Sequence, residues 1–241
     1  MKYYVGIDGC KAGWFAISLF QSGSWNFSVF ADVAQLWNKF YEAQLLLIDI
    51  PIGLREDGVI GRACDTRARQ ILGSPRASSI FTPPVRPALE SNDRETASEK
   101  NYSLSGRRIG VQNWAIAPKI KEVDHFLRSR PNAREKIREV HPEVLFWALN
   151  GFKPMSHKKS RHSGFEERLG VLRTHFHNSD ALVEEALHTF RRNKVARDDI
   201  LDALAAAVTA LFGKGQLTSI PEKPEKDPFG LPMEMVYYNH K

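Results

Sequence analysis

The sequence predicts an α/β fold: a five-stranded mixed sheet flanked by helices, with a helical insertion after the fourth strand. Three observations carry that reading. The β-rich runs "KYYVGIDG" (2–9), "GWFAISLF" (13–20) and "SWNFSVFA" (24–31) are separated by the short turn segments "CKAG" and "QSG", the pattern of an antiparallel meander. "QLLLIDIPIG" (44–53) is apolar on both alternating faces, as a central strand covered by helices on both sides must be. Helical spacing of apolar residues follows, most clearly in "VARDDILDALAAAVTALF" (195–212).

After the meander, "DVAQLWNKFYEA" (32–43) opens on an N-capping Asp32, and Val33, Leu36, Trp37 and Phe40 recur at helical spacing. The fourth strand comes next. Residues 55–130 break the regular rhythm, with helical patches in "RACDTRARQIL" and "IKEVDHFLR" around the Ser/Pro-rich "GSPRASSIFTPPVRP", and are read as an insertion over one end of the sheet. "KIREVHPEVLFWALNG" (136–151) reads as an edge strand through His141, then a helix with Pro142 in its first turn and Gly151 after its end. A basic stretch, "SHKKSRHSGFEERLG" (156–170), precedes further helix. Pro221, Pro224, Pro228 and Pro232 predict a mostly extended tail over 214–241, ending in a short strand at "MEMVYY". Residues 1–241 are expected to form one domain that contains the insertion.

A chain of 241 residues with 42% hydrophobic content can bury a real core. Its two cysteines, Cys10 and Cys64, exclude a disulfide framework and favour a reducing compartment. Lys2 is followed by a strand pattern rather than an apolar leader, and the longest apolar run falls far below the roughly 18 residues of a membrane span. A soluble cytoplasmic protein without a membrane partner is therefore expected. Lys plus Arg number 34 against 28 Asp plus Glu, a net charge of +6, which favours a polyanionic partner such as nucleic acid. The oligomeric state is not legible in the sequence, and a homodimer stays among the expected forms.

This element order is that of the ribonuclease H-like fold. In that fold the first and fourth strands are parallel neighbours, so Asp8 and Asp49 would emerge at adjacent strand ends. Desolvated carboxylates that close need protons, cationic side chains or divalent metal ions. On the last helix Asp199 shares a narrow stripe with Ala203, Ala206 and Ala210, small residues that let a helix approach a sheet. Asp202 lies about 60° round from Asp199, so both can reach one point. On the edge strand, alternation puts Ile137, Glu139 and His141 on one face, and Glu139 is the natural fourth acidic contributor.

Each residue also has a plainer explanation. Asp8 before Gly9 alone is a turn aspartate, and Asp198 caps its helix. Glu143 complements a helix dipole, and His141 is a structural histidine. Arg62, Asp65 and Arg69 read equally well as an ion-pair network on a helix surface. The tryptophans read as core. Lys158, Lys159 and Arg161 are either a solvated loop or phosphate contacts. Asp49 has no local partner, and its conjunction with Asp8 and Asp199 points to metal.

The stretches "GIDGCKAGW", "IDIPIGL", "RACDTRARQILG", "SSIFTPPVR", "QNWAIAPKIKEVD", "EVHPEVLF", "KKSRHSGFEERLGVL" and "DDILDALAAAVTA" occur in that order from residue 6 to 209. In them the chain resembles the bacterial and archaeal family of unknown function 429, described as predicted RNase H-like nucleases. More distantly, the spacing of Asp199 and Asp202 before an alanine-rich segment is similar to that in RuvC-type resolvases. Those enzymes carry a glutamate where this chain has Asp49, and the shorter side chain changes the metal distances, so resolvase activity does not follow.

The expected function is a metal-dependent phosphodiesterase acting on DNA or RNA. Asp8, Asp49, Glu139, Asp199 and Asp202 would hold two Mg²⁺ or Mn²⁺ ions roughly 3.5 to 4 Å apart for in-line displacement. Lys158, Lys159 and Arg161 would contact substrate. One alternative is a non-catalytic nucleic-acid-binding or scaffold protein in which the acids hold a structural cation. A weaker one is a phosphotransferase of the actin-like or sugar-kinase superfamily, which would need a second glycine-rich phosphate loop that this chain lacks.

Overall fold

In the computed structural model, which describes residues 1–213 and 216–239, the meander is formed by β1 (Tyr3–Cys10), β2 (Gly13–Phe20) and β3 (Trp25–Phe30). Helix α1 (Val33–Phe40) follows, its N-cap Asp32 accepting from Gln35 N at 2.8 Å. Strand β4 (Leu46–Ile48) pairs parallel to β1, and further along the chain β5 (Ile137–Glu139) pairs parallel to β4. The resulting order, β3-β2-β1-β4-β5, is the mixed five-stranded sheet of the ribonuclease H-like fold. The fourth strand is shorter than the apolar run suggested, because Pro51 and the positive φ of Gly53 (73°) turn the chain away.

Between β4 and β5 lie α2 (Ala63–Arg76), kinked at Gly73, then α3 (Arg86–Leu89), α4 (Arg94–Ser105), α5 (Val111–Ser129) and α6 (Pro131–Arg134). After β5 come α7 (Pro142–Leu149), α8 (His162–His175), α9 (Ser179–Thr189) and α10 (Arg197–Gly213). The C-terminal segment forms a separate antiparallel pair, β6 (Leu217–Ile220) and β7 (Met235–Tyr238). Only β7 falls in a stretch expected as strand; among the prolines, the four residues of β6 gave no visible pattern. Residues 214, 215, 240 and 241 of the expected tail lie outside the described residues. Among the described residues, no helix is long and apolar enough to cross a membrane.

Alternation divides the sheet between two cores. Val5, Ile7, Leu46, Ile48 and Ile137 face the core that includes residues of α1 and α5. Tyr4, Phe15, Ile17, Leu47 and Val140 face the other, with α7, α8, α9 and α10. Helix α10 lies directly on β1 because Gly6 has no side chain: a Cβ there would fall 2.1 Å from both Ala203 O and Ala207 N. This close approach, matched by the alanines of α10, sets the distance between strand and helix on which the acidic residues depend.

Candidate functional site

The registers place the acids. Ile7 pairs with Ile48, and Asp49 N donates to Ile7 O at 2.9 Å, so Asp8 and Asp49 leave adjacent parallel strands side by side. Asp8 shares the face of Tyr4 and Gly6, and Asp49 that of Leu47, the face covered by α10. Asp8 is buried and its Oδ1 accepts from Gly9 N at 2.8 Å. Asp49 is half-buried and lies close enough to Asp8 that each bears on the other's ionisation.

Helix α10 supplies the other acids. Asp202 is buried; its Oδ2 accepts from Lys159 Nζ at 2.8 Å, while its Oδ1 is buried without a hydrogen-bond partner. Asp199 Oδ2 accepts from Ala196 N at 2.7 Å, the reach of a third-position acid back to the helix cap, which leaves Oδ1 for another partner. Capping therefore belongs to Asp199. Asp198, for which that role was expected, instead lies 3.5 Å from Lys159 Nζ.

The electrostatics show how crowded the group is. Burial pushes the Asp8 carboxyl well above the usual range, and the charges of Asp49, Asp202 and Asp199 push it further, against Lys159. Asp49 is raised to about 8, first by burial and then by Asp202. Asp199 is raised to about 6, chiefly by burial. Burial also raises Asp202, opposed by Lys159, whose own ammonium is held charged most strongly by Asp202. A cleft of about 470 Å³ opens onto Asp49 and is lined by His141, Lys158 and Lys159. Burial, then the charge of Lys159, lowers His141 to about 3, so it is neutral; its Nδ1 accepts from Glu143 N at 3.2 Å, and its place at the cap of α7 fits the structural reading.

Glu139 does not join these acids. It pairs with Ile48 and shares the face of Ile137, opposite to that of Asp8 and Asp49. Both of its oxygens are taken by Arg62, through Nη1 and Nη2 at 2.7 Å each, and Oε2 also accepts from Ile52 N at 2.6 Å. Burial raises it to about 7 against the pull of Arg62. Arg62 also binds Asp65 at 2.6 Å, so the expected helix-surface network is a buried one. Arg69 leaves it, donating to Ile80 O and Thr82 Oγ1. Cys64, Asp65 and Glu139 stand close enough together to hold a metal ion, but the guanidinium of Arg62 already balances both carboxylates there. Glu143 is likewise more than a dipole partner: it is buried and bound by Arg168 at 2.5 Å.

The basic stretch is split by Gly164, where a Cβ would fall 2.0 Å from Lys158 O. The loop thus folds back on the first turn of α8. Lys159 points to the acids, whereas Arg161 lines a separate cleft with His162, Arg192 and Arg197. Sequence reasoning missed Lys159 and Arg62 as internal counter-ions. A buried acid on the far face of an edge strand demands a cation, and Arg62 had been grouped by spacing only with Asp65 and Arg69 on a helix surface.

Fold and site together define an RNase H-like domain with converging acids at the ends of its first and fourth strands and on its last helix. The chain belongs to the family described as Protein of unknown function (DUF429), whose profile matches residues 6–226. No curated protein and no solved structure is found to match it.

Proposed function

We propose that the protein is a metal-dependent nuclease that hydrolyses phosphodiester bonds of nucleic acid at the centre formed by Asp8, Asp49, Asp199 and Asp202. The observation that carries this reading is Asp202 Oδ1, a buried carboxylate oxygen without a hydrogen-bond partner, on a helix packed against the strand that carries Asp8. Among the described residues, Lys159 is the one cation bonded to these four acids, so a hard cation fits what the side chains lack. Mg²⁺ or Mn²⁺ held by these oxygens would activate water and stabilise the leaving oxygen.

The chain's own groups prepare the site. Asp8 is the acid on which the others converge, since Asp49, Asp202 and Asp199 all raise it. Asp199 is fixed by its cap contact, and Gly6 holds α10 at the distance that lets strand and helix acids meet. Glu139 and Arg62 act from the opposite face, anchoring the chain just beyond β4 through Ile52 N and Ile52 O, the latter accepting from Arg62 Nη1 at 3.1 Å. They position Asp49 rather than bind metal. Cleavage of labelled single-stranded, duplex and branched DNA and RNA with Mn²⁺ tests the reading. Metal-dependent turnover by the wild type, lost in Asp8→Asn, is expected; turnover by Asp8→Asn equal to that of the wild type would overturn it.

A further inference from the structure

Most buried arginines of this protein are committed to carboxylates. Arg62 holds Asp65 and Glu139, Arg86 holds Asp124, Asp227 and Glu56, and Arg168 holds Glu143. A cleft of about 240 Å³ between the starts of α8 and α10 is different. Arg161, Arg192 and Arg197 line it together, and among the described residues none of them pairs with an acid. The Arg197 guanidinium lies 4.5 Å over the ring of Phe165, and its Nε is buried without a hydrogen-bond partner. An arginine stacked in this way keeps a planar fork of donors oriented but unsatisfied, a geometry suited to phosphate. Two helices, α8 and α10, begin beside the same cleft, whose lining includes Arg161, His162, Arg197 and Asp198.

The cleft adjoins the acid centre, sharing Lys159 and Ser160 with the cleft that opens onto Asp49. Lys159 and Asp198 line it, and Lys159 also reaches Asp202. Gly164 keeps the two clefts in register by fixing the loop from which Lys159 and Arg161 point in different directions. We infer that Arg161, Arg192 and Arg197 form a phosphate seat that holds the backbone of a nucleic acid strand beside the acid centre. The inference rests on the proposed nuclease function only for the identity of the polyanion; the seat is a binding site whether or not the strand is cut.

The test is binding of a labelled single-stranded oligonucleotide to the full chain in EDTA, where no turnover intervenes, across a series of salt concentrations. Arg192→Ala combined with Arg197→Ala should weaken binding and reduce the slope of log K against log salt by about 1.4, two phosphate contacts at roughly 0.7 each. Arg107→Ala with Arg108→Ala removes the same charge at a different cleft and should leave the slope unchanged. Exposed Arg192 can be reversed alone to Glu without touching the Phe165 stack, and this single variant should also lower affinity. An unchanged slope in the double variant, or an equal loss in the Arg107/Arg108 control, overturns the seat. Wild-type binding through these arginines without metal-dependent cleavage supports the seat and sinks the nuclease reading; cleavage with unchanged binding in the double variant does the reverse.

Discussion

Two groups of buried and half-buried carboxylates lie on opposite faces at one end of the sheet, and they are balanced in opposite ways. On one face Asp65 and Glu139 are matched by Arg62, whose side chain is 2% exposed and spends its fork on both acids and on backbone oxygens. On the other, Asp8, Asp49, Asp199 and Asp202 share Lys159, a side chain 46% exposed at the end of a surface loop. The first group is closed by the fold itself, whereas the second is left short of positive charge. Burial alone does not mark a functional site; burial without a committed counter-ion does.

The largest expected effect comes from breaking the closed group. Arg62→Met leaves two buried carboxylates unpaired and should cost about 3–5 kcal/mol, measured by urea unfolding without metal. Asp8→Asn removes one of several mutually repelling charges and should leave stability unchanged or raised. If both variants lost the same stability, the contrast between the two groups would fail.

Metal sharpens the comparison next. At a Mn²⁺ concentration about a hundredfold above its Kd, wild type should gain about 2.7 kcal/mol. Asp202→Asn should lose most of that gain, and Cys64→Ser should keep it. The opposite pattern in the melting curves would place the ion at Cys64, Asp65 and Glu139 instead.

A smaller effect is expected from pH. Asp49 titrates at about 8 in the folded chain and near 3.9 when unfolded, so between these values the folded state holds a proton that the unfolded state has lost. Apo stability therefore falls as pH rises through that window. His141 works the other way: depressed to about 3, it makes stability rise with pH up to roughly 6.5 and then stops contributing. Above pH 7 Asp49 carries the decline, joined as pH approaches 8.5 by the buried thiols of Cys10 and Cys64, which burial also holds protonated. Melting temperatures from pH 7 to 8.5 should fall for wild type, fall less for Asp49→Asn, and stay level with Mn²⁺, which uses the ionised acids. A flat apo profile would show that the acids are not crowded.

The sheet and the acids of β1, β4 and α10 were legible in the sequence because both rest on short-range pattern. Alternation assigns a face to Asp8 and Asp49, and helical spacing assigns a stripe to Asp199 and Asp202. Glu139 shows where this stops. Its alternation with Ile137 was read correctly, but which face of β5 looks toward α10 depends on the register with β4, in which Ile48 sits opposite Glu139. No local signal states a register between strands separated by the whole insertion. Lys159 fails for a related reason: the loop's return over Gly164 is a tertiary contact, and a run of basic residues looks the same whether its side chains point to solvent or to buried acids. The short strand β6 was hidden by the prolines around it.

Lys159 gives a smaller effect on stability than Arg62 and the sharpest contrast with it. Its ammonium binds Asp202 Oδ2 at 2.8 Å but stays 46% exposed, so Lys159→Met should cost less than Arg62→Met, because water screens the lysine's side of the pair and only one buried carboxylate, Asp202, loses its partner. The variant should nevertheless change how the acid centre treats metal. If the lysine stands where a cation would otherwise be drawn, removing it leaves the acids with a larger deficit, and Mn²⁺ should bind more tightly in titration calorimetry. Cleavage should still fall, since Lys159 also lines both clefts and fixes charge between them. Tighter metal with weaker turnover would establish Lys159 as an exchangeable counter-ion, unlike the locked Arg62. Weaker Mn²⁺ binding in Lys159→Met would mean that the lysine orders Asp202 for the ion rather than competing with it, and the two groups would then differ in exposure but not in kind.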